Sequence, residues 1–126
     1  MIDVTLDKPG EYHFVSAVDE TGIRIGDTLY TSSIILTPEQ VVDGWAPRSM
    51  QELVETHLQA LFNLQPEVAL LGTGPTQGFL SRQLMIRTIE SGIGLEVMTT
   101  AAACRTFNIL ASDGRRVAAA LMTMAP

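Results

Sequence analysis

The chain has 126 residues, 46% of them apolar and 17% charged, which describes one ordinary globular domain with length for a single core. Its formal charge of −6 is uneven: residues 1–67 hold eleven acids against Lys8, Arg24 and Arg48, a balance of −8, while residues 68–126 hold three acids against five arginines, a balance of +2. An acidic chain with one lysine lacks the clustered cations that bind a phosphate backbone, so nucleic acid is excluded as the expected partner, and no apolar run approaches a membrane span.

The first third reads as β. Ile2, Val4 and Leu6 alternate with polar residues until Pro9-Gly10 breaks the run. Tyr12, Phe14 and Ala17/Val18 resume it, and Asp19-Glu20-Thr21-Gly22 is a turn. Ile23-Arg24-Ile25, Gly26-Asp27 and Thr28 to Leu36 predict a tight hairpin into one long strand, which Thr37-Pro38 ends because proline cannot donate to a ladder. Between Val41 and Pro47 lies the only tryptophan, Trp45. Ser49, with Glu52 three residues on, reads as a capping box. Met50, Leu53, Val54, Leu58, Leu61 and Phe62 then recur at helical spacing, so a helix is expected over 50–64, closed by Pro66.

The second half changes character. Val68-Ala69-Leu70-Leu71 is a continuous apolar run, the pattern of a strand buried on both faces. A Gly72-Thr73-Gly74-Pro75 loop leads to a helix over 80–91, with Leu84, Met85, Thr88 and Ile89 expected inward. Leu95–Met98 is a short strand, Thr99 or Thr100 caps a third helix near 101–111, and Arg115–Thr123 is a last strand. Such β-α-β-α-β alternation predicts a single α/β domain, with a central sheet covered by helices and an N-terminal β-hairpin or meander.

Three stretches carry a resemblance: Leu71-Gly72-Thr73-Gly74; Met98 to Leu110 with Thr100, Ala102-Ala103-Cys104-Arg105-Thr106-Phe107-Asn108; and Gly114-Arg115-Arg116-Val117-Ala118-Ala119-Ala120-Leu121. With Gly26, Tyr30, Ser33 and Trp45 upstream in order, the chain resembles the family of mitochondrial respiratory complex I assembly factor 3 along nearly its whole length. The resemblance implies a three-layer α/β fold with a central mixed sheet, and an assembly-type role without established catalytic residues. Thr99, Phe107 and Asp113 depart from the family's usual Asp, Tyr and Glu.

Candidate site residues follow from the strand-to-helix turns. Gly72, Thr73, Gly74, Thr76 and Gln77 follow a buried strand and precede a helix, where exposed amides attract anions in a doubly wound sheet. Thr99 and Thr100 end the neighbouring strand, and Arg105 lies one turn into the next helix; together they would suit a carboxylate or phosphate of a small metabolite. The plainer alternative is a tight turn, a helix cap and a surface arginine. The G-x-G-x-x-x-G spacing misses the dinucleotide fingerprint, and a Gly-Lys-Ser/Thr is lacking, so no cofactor is expected.

Trp45, held between Gly44 and Pro47, is the candidate anchor for a protein partner, the alternative being a core plug. Cys104 reads as buried packing, and His13 and His57 with scattered carboxylates give no metal-ligand spacing. One cysteine and a start lacking signal-peptide regions lead to a cytoplasmic expectation. With no catalytic constellation in the sequence, the favoured reading is a non-enzymatic protein-interaction module of the assembly type, and the alternative is a binder of a small anionic metabolite.

Overall fold

The computed structural model describes residues 12–125, so the strand expected at Ile2–Leu6 and its Pro9-Gly10 break lie outside the described residues. The N-terminal part is a meander of β1 (Val15–Asp19), β2 (Gly22–Ile25) and β3 (Thr28–Tyr30), paired antiparallel in that order. The expected long strand through Leu36 is divided. After Tyr30 the chain leaves this sheet, and β4 (Ile34–Leu36) begins in a second one. Burial explains the division: Thr28 and Leu29 of β3 are exposed and Tyr30 is half-buried, whereas all of β4 is buried. Ser33 makes the switch, its hydroxyl accepting Thr123 N–H at 3.0 Å and its carbonyl accepting Trp45 N–H at 2.9 Å.

The second sheet is mixed. β5 (Val41–Asp43) pairs antiparallel with β4, β4 antiparallel with β8 (Val117–Leu121), and β6 (Val68–Gly72) parallel with both β8 and β7 (Leu95–Met98). The strand order is β5-β4-β8-β6-β7. The crossover from β6 to β7 carries α2 (Arg82–Ser91), and the return from β7 past β6 to β8 carries α3 (Thr100–Ser112). Right-handed crossovers in opposite directions put their helices on opposite faces. Accordingly α1 (Glu55–Phe62) and α2 share one apolar cluster with Ala69, Leu71, Ala118 and Ala120, while α3 and the meander share another with Leu70, Ala119 and Leu121. Three layers result, as expected. The run Ala118-Ala119-Ala120 is buried at 0–1% exposure, and the small side chain of Ala119 lets α3 approach its face of the sheet closely.

Two helices differ from expectation. The first is broken: a 3-10 turn at Met50–Glu52 is followed by extended Leu53 and Val54, and α1 starts only at Glu55. Ser49 makes no side-chain cap; Glu52 instead reaches back to accept Arg48 N–H at 2.9 Å. His57 Nδ1 caps α1 by accepting Val54 N–H at 3.1 Å, which assigns the proton to the other ring nitrogen. On α2, Ser81 is the N-cap and Gly92, in the left-handed region at φ 74°, ends the helix. Leu84 is buried as expected, but Met85 and Ile89 are not. Leu84 is the α2 side chain packed into the cluster with Leu58, Leu61 and Phe62, which leaves those two residues facing outward; an exposed ion pair of Arg87 with Glu55, at 3.1 Å, spans α2 and α1 at the surface.

Candidate functional site

The loop after β6 and the threonine pair after β7 meet side by side at the carboxyl ends of those parallel strands. Gly72 is level with Met98. Thr73 N–H bonds Met98 O at 2.8 Å, and Thr100 N–H bonds Gly74 O at 3.0 Å. The Thr100 side chain is fully buried; its hydroxyl accepts Gly74 N–H at 2.8 Å and donates to Met122 O at 2.7 Å. One hydroxyl thus joins the loop, α3 and the end of β8. Gly72 is demanded by the same closeness, since a Cβ there would lie 2.9 Å from Thr100 Cα and Oγ1.

The remaining loop residues are also occupied with one another. Thr73 donates to Thr76 O at 2.7 Å and accepts Gly78 N–H at 3.0 Å. Gln77 Nε2 donates to Gly78 O at 2.9 Å and to Val97 O at 3.3 Å, covering the outer edge of β7. Thr99 caps α3 through Ala102 N–H at 3.3 Å. Arg105 is exposed on α3 and joins no ion pair among the described residues. The segments expected to be neighbours are neighbours, and the space between them is filled by Thr100.

Trp45 lies in the core beneath α1. Its indole is 6% exposed, Nε1–H bonds His57 O at 3.2 Å, and the ring meets the His57 ring edge-on at 6.3 Å between centroids. Cys104 is buried, and burial pushes its thiol up to about 12, against a smaller lowering by Arg105, so the nucleophilic thiolate is suppressed near neutrality. Asn108 clamps the first residue of β1 to α3, accepting Val15 N–H at 2.8 Å and donating to Val15 O at 2.9 Å. Arg115 pairs with Glu67 at 2.9 Å. No cluster of three or more potential metal ligands occurs among the described residues.

Two surface features escape sequence reasoning. A cleft of about 560 Å³ opens at the carboxyl ends of β6 and β8, lined by Thr73, Thr76 and Thr123 together with Glu52 of the 3-10 turn and Arg48 just before it. Its walls come from segments far apart in sequence, so no local motif announces it. The second feature is apolar. Phe79 is 80% exposed, Ile89 76%, Met85 51% and Ile86 46%. Beside them runs a groove of about 390 Å³ lined by Gln77, Phe79, Leu80, Thr88, Leu95 and Val97, without a charged residue. Its signal was present in the spacing of residues 82, 85, 86 and 89, a second stripe beside the one that Leu84 occupies.

These layers, with a strand-end loop closed by its own hydrogen bonds and an uncovered apolar helix face, define a three-layer mixed α/β domain. A solved Mth938-like domain from Bordetella pertussis is 27% identical, with a TM-score of 0.81, over 95% of this chain and 91% of that one. The chain belongs to the DUF498/DUF598 family of proteins of unknown function, whose model matches residues 15–122.

Among relatives, the human protein named NADH dehydrogenase [ubiquinone] 1 alpha subcomplex assembly factor 3 is 31% identical over 111 residues, covering 86% of this chain and 60% of that protein. The chain therefore spans about 60% of that relative's length. A protein of Francisella tularensis subsp. holarctica named 13 kDa major membrane protein is 27% identical over 96 residues, covering 75% and 76%. In this chain no described helix is long and apolar enough to cross a membrane.

Proposed function

We propose that the chain is a non-enzymatic protein-docking module of the assembly-factor kind, and that it engages its partner through the outer face of α2 and the groove beside β7. The observation that carries this is the contiguous exposure of Phe79, Met85, Ile86 and Ile89. Large apolar side chains grouped on one face, next to an uncharged groove, mark interaction surfaces in folded proteins. The relatives named as assembly factors support the same class of role. A reducing, cytoplasmic setting fits the single buried Cys104.

The reading moves the partner anchor from Trp45, which is part of the core, to Phe79 and Ile89. A small anionic metabolite held by Gly72, Thr73, Gly74, Thr76, Gln77, Thr99, Thr100 and Arg105 is less favoured. The Gly74 amide and the Thr100 hydroxyl that it would need are bonded to each other.

Native affinity capture tests the docking reading. The expected result is one defined protein recovered in stoichiometric amount and lost when Ile89→Asp is used as bait. Capture that enriches no protein, or that is unchanged by Ile89→Asp, overturns it.

A further inference from the structure

We propose that the cleft at the carboxyl ends of β6 and β8 binds a free amino acid, its carboxylate on Arg48 and its ammonium group on Glu52. The inference goes beyond the docking reading and does not depend on it, because the cleft and the apolar groove use different residues of the loop after β6. Thr76 and Gly78 line the cleft, while Gln77 and Phe79 line the groove. At about 560 Å³ the cleft falls within the range of roughly 300–1,000 Å³ that small-molecule sites occupy. It also lies at the strand ends where open α/β sheets hold their ligands.

One wall is an arch made by the break in the first expected helix. Trp45 before it and Leu53 after it are each only 6% exposed, while none of Met50–Glu52 is buried. Both feet of the arch are thus fixed in the core, and Arg48 and Glu52 remain in the cleft wall. Met50 braces the arch against the loop. A Cβ on Gly78 would lie 2.5 Å from Met50 Cγ, so the glycine makes room for that contact.

The charges select the ligand. Arg48 and Glu52 are four residues apart, yet their side chains form no ion pair with each other or with another described residue. Glu52 Oε1 instead accepts the backbone N–H of Arg48 at 2.9 Å, which holds the carboxylate in place and leaves the guanidinium to reach elsewhere. Thr123, 5% exposed, accepts Ala125 N–H at 3.1 Å, and its own proton has no acceptor among the described residues. A buried donor of that kind calls for an acceptor, which a ligand carboxylate supplies. The Ser49 hydroxyl, unused as a helix cap, lines the same space. A guanidinium holds a carboxylate through two parallel hydrogen bonds, and a carboxylate attracts an ammonium group as a point charge. Met50, Pro75 and Ala125 add apolar lining for the ligand's side chain. A simple anion would satisfy Arg48 but bring its charge toward Glu52, and a simple amine would do the reverse. A zwitterion answers both.

Titration of the full, isotopically labelled chain with the proteinogenic L-amino acids, followed by amide NMR shifts, tests the proposal. At least one of them is expected to give saturable shifts confined to residues 48–52, 73–78 and 123–125. Arg48→Gln and Glu52→Gln should each weaken that binding by about tenfold or more at unchanged Tm, since both side chains are exposed. The same compound without its amine, or without its carboxylate, should likewise bind at least about tenfold more weakly. Absence of saturable shifts with every amino acid, shifts centred elsewhere, or an affinity unmoved by either substitution overturns the proposal. Equal binding of the amine-free acid, unmoved by Glu52→Gln, also overturns it and makes the cleft a site for anions alone.

Discussion

The turn after β6 and the outer face of α2 are close in sequence, yet they are completed in opposite ways. Around Gly72–Gly78, the Thr73 and Thr100 hydroxyls and the Gly74 and Gly78 amides find their partners inside the chain. Along α2, Met85, Ile86 and Ile89 find none. A buried polar group without a partner is costly, so the turn had to be closed for the domain to fold. Exposed apolar atoms are tolerated on a monomer, so α2 could keep a surface for something else. A glycine-rich strand-to-helix turn attracts attention as a ligand site; in this molecule its amides and hydroxyls also join the ends of β6 and β8 to α3.

The comparison can be broken most directly at Thr100. Thr100→Val keeps the volume but leaves the buried Gly74 N–H and Met122 carbonyl unpaired, with an expected loss of about 2–4 kcal/mol in denaturant unfolding. A loss near zero would mean that water or a rearranged loop replaces the hydroxyl.

A smaller effect concerns Cys104, one turn further along the same buried face of α3. Its thiol is raised from 9.0 to about 12 by burial, so the unfolded chain ionises it first as pH rises. Its contribution to stability is therefore intact below about 9 and declines from there toward 12. In urea titrations at stepped pH, Cys104→Ala should show a shallower alkaline decline than the wild type. Equal slopes would contradict the buried placement.

The smallest effect is expected on the open face. Ile89→Ser should change the stability of the monomer by no more than about 0.5 kcal/mol in the same assay, since the side chain is 76% exposed. A loss comparable with that of Thr100→Val would show that Ile89 is packed and that the two regions are not opposites.

Much of the fold was legible in local pattern. The runs at Val68–Leu71 and Val117–Leu121 read as buried strands because a strand covered on both faces cannot alternate. Thr99 and Gly92 marked helix ends because capping chemistry is local. The break at Tyr30–Ser33 was not legible, because a chain that passes from one sheet to another keeps β-type residues throughout. The 50–64 segment misled for a related reason. Leu53 and Leu58 share one cluster whether the backbone between them is helical or extended.

The site was legible only as adjacency. The loop at Gly72 and the pair Thr99/Thr100 were expected together and are together. Whether a space remained between them depended on the direction of one hydroxyl, which no pattern of residue types encodes.

The amino-acid sequence by itself determined the α/β class, the β6-α2-β7-α3-β8 order and both neighbours at the strand ends, since periodicity and capping act within a few residues. Tertiary structure decided which stripe of α2 faces the sheet, that Trp45 is enclosed, and that the Thr100 hydroxyl fills the gap between Gly74 and Met122. Those outcomes depend on contacts such as Trp45 with His57 and Thr100 with Met122, between residues 12 and 22 positions apart, whose energies exist only after the chain has folded.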